Sequence, residues 1–201
     1  MIKNVVFDFG QVLVHFEPEY MVGKYVSDKD DVKLVASVLF DRLYWDKLDE
    51  GTISDEEVVR LSKERLPERL HEAVEKAYYN WIYNIPEIEG MRSIVERLKE
   101  KGTPVFLLSN ISTYFASHKE EIPILELVDN CIFSAVCGKT KPTREMFEYM
   151  LREYNIERNE TLFVDDSTKN IDGAKSVGIQ TYLFDGNAKK LEAFLVEQKL
   201  L

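Results

Sequence analysis

Ile2-Lys3-Asn4-Val5-Val6-Phe7-Asp8-Phe9-Gly10-Gln11-Val12 is the stretch that decides the fold. Its β-branched and aromatic run over residues 5–7 reads as a strand buried on both faces, and a carboxylate follows where that strand ends. The arrangement recurs at Val105-Phe106-Leu107-Leu108-Ser109-Asn110 and at Thr161-Leu162-Phe163-Val164-Asp165-Asp166-Ser167, with Lys139-Thr140-Lys141-Pro142 between them. In an open parallel sheet, ligands bind outside the carboxyl ends of the strands. Asp8, Ser109 and the Asp165/Asp166 pair are therefore predicted to converge although they lie far apart in sequence. A carboxylate nucleophile, further carboxylates for a hard cation, a hydroxyl and a lysine together equip a site for phosphoryl transfer.

Outward from these stretches, short apolar runs at residues 5–7, 105–108, 131–135, 162–164 and 181–184 are the predicted strands. Amphipathic helices are predicted between and after them. One covers residues 88–101, with Ile88, Met91, Ile94, Val95 and Leu98 on one face and Gly102 as its stop; others cover 144–153, 170–177 and 189–198. Strand and helix in alternation predict an α/β fold with a doubly wound, Rossmann-like parallel sheet. The first connection breaks the rhythm. From residue 14 to residue 86 there are only helical runs, at 19–25, 30–40, 55–65 and 69–83, and Ser54-Asp55-Glu56-Glu57 reads as a capping box. The expected organisation is a core domain of residues 1–13 and 87–201 and an inserted all-helical cap domain of residues 14–86, placed as a lid over the end of the first strand.

The chain has 201 residues, 45% of them hydrophobic, enough for a sizeable core. Acidic residues outnumber basic ones 36 to 26, a net charge of −10, and the basic residues form no stripe, which argues against nucleic acid as a partner. The same field repels an anionic ligand, so a phosphate needs local positive charge from a lysine and a metal ion. No apolar run approaches the length of a membrane span, and Met1-Ile2-Lys3-Asn4 enters a strand directly, so no membrane association and a cytoplasmic location are expected. Cys131 and Cys137 match no metal-binding spacing and are expected to be buried free thiols. A monomer or weak homodimer is expected.

Taken in order and spacing, the strand ending at Asp8, the Leu107-Leu108-Ser109-Asn110 run, Gly138-Lys139-Thr140-Lys141-Pro142, and the segment from Phe163 through Asp165, Asp166, Asn170 and Gly173 to Gly178 resemble the haloacid dehalogenase-like hydrolase superfamily. The likeness is to its helical-cap phosphatase branch and to α-D-glucose-1-phosphate phosphatases. The segment Glu50-Gly51-Thr52-Ile53-Ser54-Asp55-Glu56 and Trp81 before Pro86 match such caps in style. The resemblance implies a Mg²⁺-dependent phosphomonoesterase in which Asp8 attacks phosphorus and the aspartyl phosphate is then hydrolysed, with a small phosphorylated metabolite, such as a sugar 1-phosphate, as substrate. It implies that Asp8, the Gly10 carbonyl and the Asp165/Asp166 pair bind Mg²⁺, with Asp166 the better direct ligand and Asn170 in support. Ser109 and Asn110 would hold phosphoryl oxygens through hydroxyl and backbone N–H groups, and Lys141, with Lys139 as a near competitor, would neutralise nucleophile and phosphate.

Gly10 is the main departure, since most phosphatases of the superfamily carry a second aspartate there as general acid and base. Glycine keeps the carbonyl and loses the proton transfer, a step that typically contributes 10²–10⁴-fold. Gln11 and His15 are the nearby substitutes, although His15 reads better as a surface residue at the cap entry. Two alternatives follow: a metal-independent hydrolytic dehalogenase, against which the Asp165/Asp166 pair argues, and a catalytically weakened binding or regulatory protein. Tyr44, Trp45, Trp81 and Tyr83 are read as core aromatics before pocket-lining ones, and His71 and His118 as surface or structural residues.

Overall fold

Val5, Val6 and Phe7 are wholly buried because β1 (Asn4–Phe7) is the middle strand of a five-stranded sheet. The computed structural model describes residues 1–201. The other strands are β2 (Val105–Ser109), β3 (Asn130–Phe133), β4 (Thr161–Asp165) and β5 (Gln180–Leu183), and the sheet runs β3-β2-β1-β4-β5 with every pairing parallel. Val6 stands opposite Phe106 on one side and Phe163 on the other. Side chains alternate between faces along a strand. Val5, Phe7, Leu107 and Val164 therefore join one apolar cluster, and Val6, Leu108 and Phe163 join another.

The first cluster is completed by α6 (Met91–Glu100) and α11 (Ala188–Glu197) through Met91, Ile94, Val95, Leu98, Leu191 and Leu195. The second is completed by α9 (Arg144–Glu153) and α10 (Thr168–Ser176) through Met146, Phe147, Met150, Ile171 and Ala174. This is the expected doubly wound α/β architecture. The chain leaves β1 for β2 on one side and reaches β4 on the other, so a crevice opens at the carboxyl end of β1.

No strand lies between residues 14 and 86. That segment folds into α1 (Pro18–Val22), α2 (Lys29–Leu39), α3 (Arg42–Asp49), α4 (Asp55–Glu64) and α5 (His71–Asn80), which share a 15-residue apolar cluster of their own. Its two crossings run side by side: His15 N–H donates to the Pro86 carbonyl at 2.8 Å and Ile88 N–H to the Leu13 carbonyl at 3.0 Å. Ser54 caps α4 by accepting from Glu57 N–H at 3.2 Å, whereas the Glu57 carboxylate turns to Arg60 instead of completing the box.

The elements differ from the sequence expectation in several places. Residue 88 lies before α6, because Gly90 takes a left-handed conformation (φ 91°) and the helix starts at Met91. The strand expected at 131–135 ends at Phe133, where Ser134 begins α8 (Ser134–Cys137). Helix α3 was not expected at all; Asp41 caps it by accepting from Leu43 N–H at 3.0 Å. Helix α7 (Thr113–Ser117) was not expected either, and the helix expected at 69–83 is regular only over α5, with tighter single turns at Glu68–Leu70 and Trp81–Tyr83. Cys131 and Cys137 are free but half-buried rather than buried, since β3 is an edge strand and Cys137 ends a one-turn helix beside it.

Candidate active site

Asp8 follows β1 directly and leaves the sheet at its carboxyl edge, with Phe9 N–H donating to its Oδ1 at 2.7 Å. Asp165 is the last residue of the neighbouring β4 and is wholly buried. Lys141 Nζ stands between them, 2.7 Å from Asp8 Oδ1 and 2.8 Å from Asp165 Oδ2. A buried ammonium is tolerated only with such partners. Burial draws the Lys141 pKa down, but the charges of Asp8 and Asp165 outweigh it and hold the ammonium above the usual lysine range. Burial pushes Asp8 up to about 7, opposed by Lys141 and assisted by the charge of Asp165.

The oxygens of Asp165 are fully engaged. Oδ1 accepts from Ser167 N–H at 2.8 Å, and Asn170 Nδ2 donates to both oxygens at 3.1 and 3.0 Å. Asp166 is exposed and no other residue donates to its carboxylate; partial burial and then the neighbouring Asp165 charge raise its pKa, against its own backbone N–H and Lys141. Carboxylate oxygens of Asp8, Asp165 and Asp166 lie within 4.8 Å of one another. Three acidic groups thus face one buried ammonium, and a hard, oxygen-seeking divalent cation such as Mg²⁺ fits the uncompensated charge. Gly10 lines the same cavity, and a Cβ there would meet only Phe16 Cβ at 3.7 Å, an ordinary contact.

From β2, nearly buried Ser109 brings its hydroxyl to the same cavity. Asn110 turns its side chain to the lysine loop and leaves its backbone N–H for the role expected of it. Its side chain is consumed by the backbone of Lys141, Nδ2 donating to the carbonyl at 2.9 Å and Oδ1 accepting from the N–H at 2.8 Å. No carbonyl accepts the Asn110 N–H, so the backbone alone remains free for a ligand. Lys139 is not at the cluster: its ammonium donates to the Cys137 carbonyl at 3.4 Å and lies over the Tyr149 ring.

These groups line a cavity of about 490 Å³ whose far wall belongs to the helical insert: Phe16, Phe40, Arg42, Trp45, Asp49 and Trp81. Phe16 meets Phe40, Trp45 and Trp81 with ring centroids 5.5 to 5.8 Å apart, so Trp45 and Trp81 serve both as packing and as cavity wall. Tyr44 is buried in the helical cluster, and Tyr83 is exposed and donates to Glu121 at 2.8 Å. His15 lines a separate cleft, 3.7 Å from Glu17, because the chain turns away after Val14 to pair with Pro86; it is no substitute for the missing acid. Gln11 reaches the cavity but its amide donates to the Phe16 carbonyl at 3.0 Å. His71 and His118 bond to the Leu66 and Tyr114 carbonyls and are structural.

Several cavity residues escaped the sequence reading, among them Phe16, Phe40, Lys169 and the two charged residues at the ends of α3, Arg42 and Asp49. The signal for that helix was present: Asp41 is a capping residue, and Tyr44 and Leu48, four apart, are its buried stripe. Asp49 sits next to that stripe.

Comparisons with known proteins agree with this geometry. A family model described as haloacid dehalogenase-like hydrolase matches residues 39–184. The chain is 27% identical over 190 residues to a D-ribitol-5-phosphate phosphatase of Bacteroides thetaiotaomicron, covering 90% of this chain and 91% of that one. It is 28% identical over 194 residues to a sesquiterpene phosphatase of Aspergillus oryzae, covering 94% of each. Its fold superposes with a TM-score of 0.70 on a Bacteroides thetaiotaomicron enzyme of the same family, solved with magnesium and inorganic phosphate, at 20% identity over 93% of this chain and 96% of that one. No helix is long and apolar enough to cross a membrane. With the family model spanning well over half of its residues, the chain belongs to the haloacid dehalogenase-like hydrolases.

Proposed function

We propose that the protein is a Mg²⁺-dependent phosphomonoesterase that hydrolyses a small phosphorylated sugar or polyol through a phosphoryl group carried on Asp8. The observation that carries this reading is the Asp8–Lys141–Asp165 bridge with Asp166 beside it at the floor of the cavity. Asp8, the Gly10 carbonyl and Asp166 would hold the cation, and Asp165 would hold Lys141 and shape the acidic site. When bound, Mg²⁺ supplies positive charge that offsets the phosphate and the clustered carboxylates.

Asp8 attacks phosphorus, a new O–P bond forms and the ester P–O bond breaks. Water then attacks the aspartyl phosphate, releasing inorganic phosphate and restoring the carboxylate. Lys141 and the free N–H of Asn110, with the Ser109 hydroxyl, face the charge that builds on the phosphoryl oxygens. The cavity has the size of a small-metabolite site. Residues 14–86 act as the cap whose aromatic wall selects the organic part of the ester. Similarity to the D-ribitol-5-phosphate phosphatase of Bacteroides thetaiotaomicron supports a small polyhydroxylated substrate. Gly10 alone would favour an ester with an easily departing oxygen, such as a hexose 1-phosphate.

Hydrolysis of 4-nitrophenyl phosphate and of a panel of sugar and polyol phosphates, with and without Mg²⁺, tests the proposal. Turnover that requires Mg²⁺ and vanishes in Asp8→Asn is expected. Metal-independent hydrolysis of 2-haloacids without phosphatase activity, or no turnover of any ester, would overturn it.

A further inference from the structure

The loop after β1 offers no proton donor for a leaving oxygen, since position 10 is glycine and His15 faces another cleft. The wall contributed by the cap offers one. Asp49, the last residue of α3, is 8% exposed, and its Oδ1 has no hydrogen-bond partner. It lines the cavity that also contains Asp8, Ser109 and Lys141. Lys141 does not neutralise it, because that ammonium is held by Asp8 and Asp165. A buried carboxyl with an unused oxygen costs stability unless a ligand completes it.

We infer that Asp49 is the general acid and base of this site, a catalytic residue that the helical cap brings to the Asp8 phosphoryl centre in place of the missing side chain at Gly10. The inference rests on the phosphomonoesterase reading. In the first step Asp8 Oδ bonds to phosphorus, the ester P–O bond breaks, and the departing oxygen takes the Asp49 carboxyl proton, leaving an alcohol, an aspartyl phosphate and an Asp49 carboxylate. In the second step water bonds to phosphorus and the Asp8–P bond breaks. The Asp49 carboxylate takes the water proton, so both carboxyl groups return to their starting states.

Two features suit Asp49 to that work. The C-terminal end of a helix carries partial negative charge and disfavours a carboxylate there. Burial, with Asp46 and Asp8 adding to it and Arg42 and Lys141 opposing it, pushes the Asp49 pKa up to about 7, near where a general acid is most effective. The position is also fixed. Just after α3, Gly51 packs so tightly on α8 that a Cβ there would stand 2.9 Å from the Ala135 carbonyl oxygen, which anchors the end of α3 against the core. A donor at Asp49 opens alkyl esters of sugars and polyols to the enzyme, beyond anomeric phosphates.

The test is a series of ring-substituted phenyl phosphates of equal size and graded leaving-group pKa, together with an alkyl sugar phosphate, assayed at saturating Mg²⁺ with wild type and Asp49→Asn. In the variant, alkyl ester turnover is expected to fall ~10²-fold or more while the best leaving group is little affected, so the dependence on leaving-group pKa steepens. Asp49→Ala, with turnover of poor leaving groups restored by added formate, gives the same answer should the asparagine variant fold poorly. An unchanged slope in a folded Asp49 variant, or a loss that is uniform across the series and confined to KM, would overturn the assignment and leave the phosphatase reading intact. No hydrolysis by wild type at all would overturn both.

Discussion

Asn110 grips the backbone of Lys141 from both sides, its Nδ2 on the lysine carbonyl at 2.9 Å and its Oδ1 on the lysine N–H at 2.8 Å. The end of β2 thus sets where the lysine loop sits, and through it where the ammonium stands relative to Asp8. Asn110→Ala removes both contacts without touching a charged group. A misplacement of about an ångström costs ~10²-fold in rate. That loss in kcat, with a KM for substrate changed far less and a preserved circular-dichroism spectrum, is the expected outcome of steady-state assays on the variant.

Asp165 and Asp166 are adjacent, yet their substitutions should fail in different ways. Asp165→Ala leaves the buried Lys141 with one carboxylate instead of two and strands the Asn170 amide, a loss of about 3 kcal/mol. Asp166 holds no side chain of another residue, so Asp166→Ala is expected to keep the melting temperature and weaken Mg²⁺ activation at least tenfold, within the usual loss for a damaged metal shell. Thermal melts and Mg²⁺ titrations of the two variants separate the roles. A stable Asp165→Ala protein with the larger loss of metal affinity would reverse the assignment.

What the sequence made legible follows from periodicity. The strands ending at Asp8 and Asp165 are apolar on both faces, and the rule that such strands deliver their next residues to one edge brings the acidic cluster together without any coordinates. Lys141 was readable from its place in a four-part pattern, but its two-carboxylate bridge was not, because ion pairing across the edge depends on how β1 and β4 pair. The Asn110 clamp was hidden for the same reason: an asparagine at a strand end looks alike whether its amide faces ligand or backbone. Helix α3 was missed because it is only eight residues long and carries an exposed Leu43 that blurs its stripe. Asp49 carries no mark in the sequence that sets it apart from the chain's other acids, since its burial depends on how residues far from it in sequence pack around it.

That burial has a pH signature. The Asp49 pKa is about 7 in the folded protein against an ordinary 3.8, so between these values the folded state holds a proton that the unfolded chain releases. A raised acid contributes stability that is complete below the unfolded value and is lost as pH rises through the folded one. Asn at this position does not titrate. Asp49→Asn is therefore expected to gain on wild type as pH rises from 4 to 7, by up to ~1.4 kcal/mol per pH unit. Paired denaturant titrations at several pH values in the absence of metal measure it, and a difference that stays flat would show that the carboxyl is not buried in solution.

At Gly173, α10 runs hard against the lysine loop. A Cβ there would lie 2.4 Å from the Pro142 carbonyl oxygen and 2.9 Å from Phe147 Cε2, and a backbone oxygen cannot swing aside. Gly173→Ala must push α10 away from the residues that carry Lys141, at a cost of ~1–3 kcal/mol. Since α10 also carries Asn170, turnover should fall along with stability. Denaturation midpoints and kcat unchanged from wild type would mean that the two segments are held less rigidly than this packing requires.

Gly10 lets the two possible positions of a proton donor be exchanged. It has an ordinary backbone conformation and room for a side chain, the nearest atom to an added Cβ being Phe16 Cβ at 3.7 Å. An aspartate placed there stands two residues from Asp8, on the same loop, at the edge of the cavity that Asp49 also lines. Asp49→Asn alone should lose ~10²-fold on alkyl esters, and adding Gly10→Asp should return at least a tenth of the wild-type rate by supplying a carboxyl from the other side. Gly10→Asp in the wild-type background should gain little, because the proton is already provided. A double variant that folds and retains Mg²⁺ activation on aryl phosphate, yet stays as slow on alkyl esters as Asp49→Asn, would show that a carboxyl at position 10 cannot reach the leaving oxygen in this cavity.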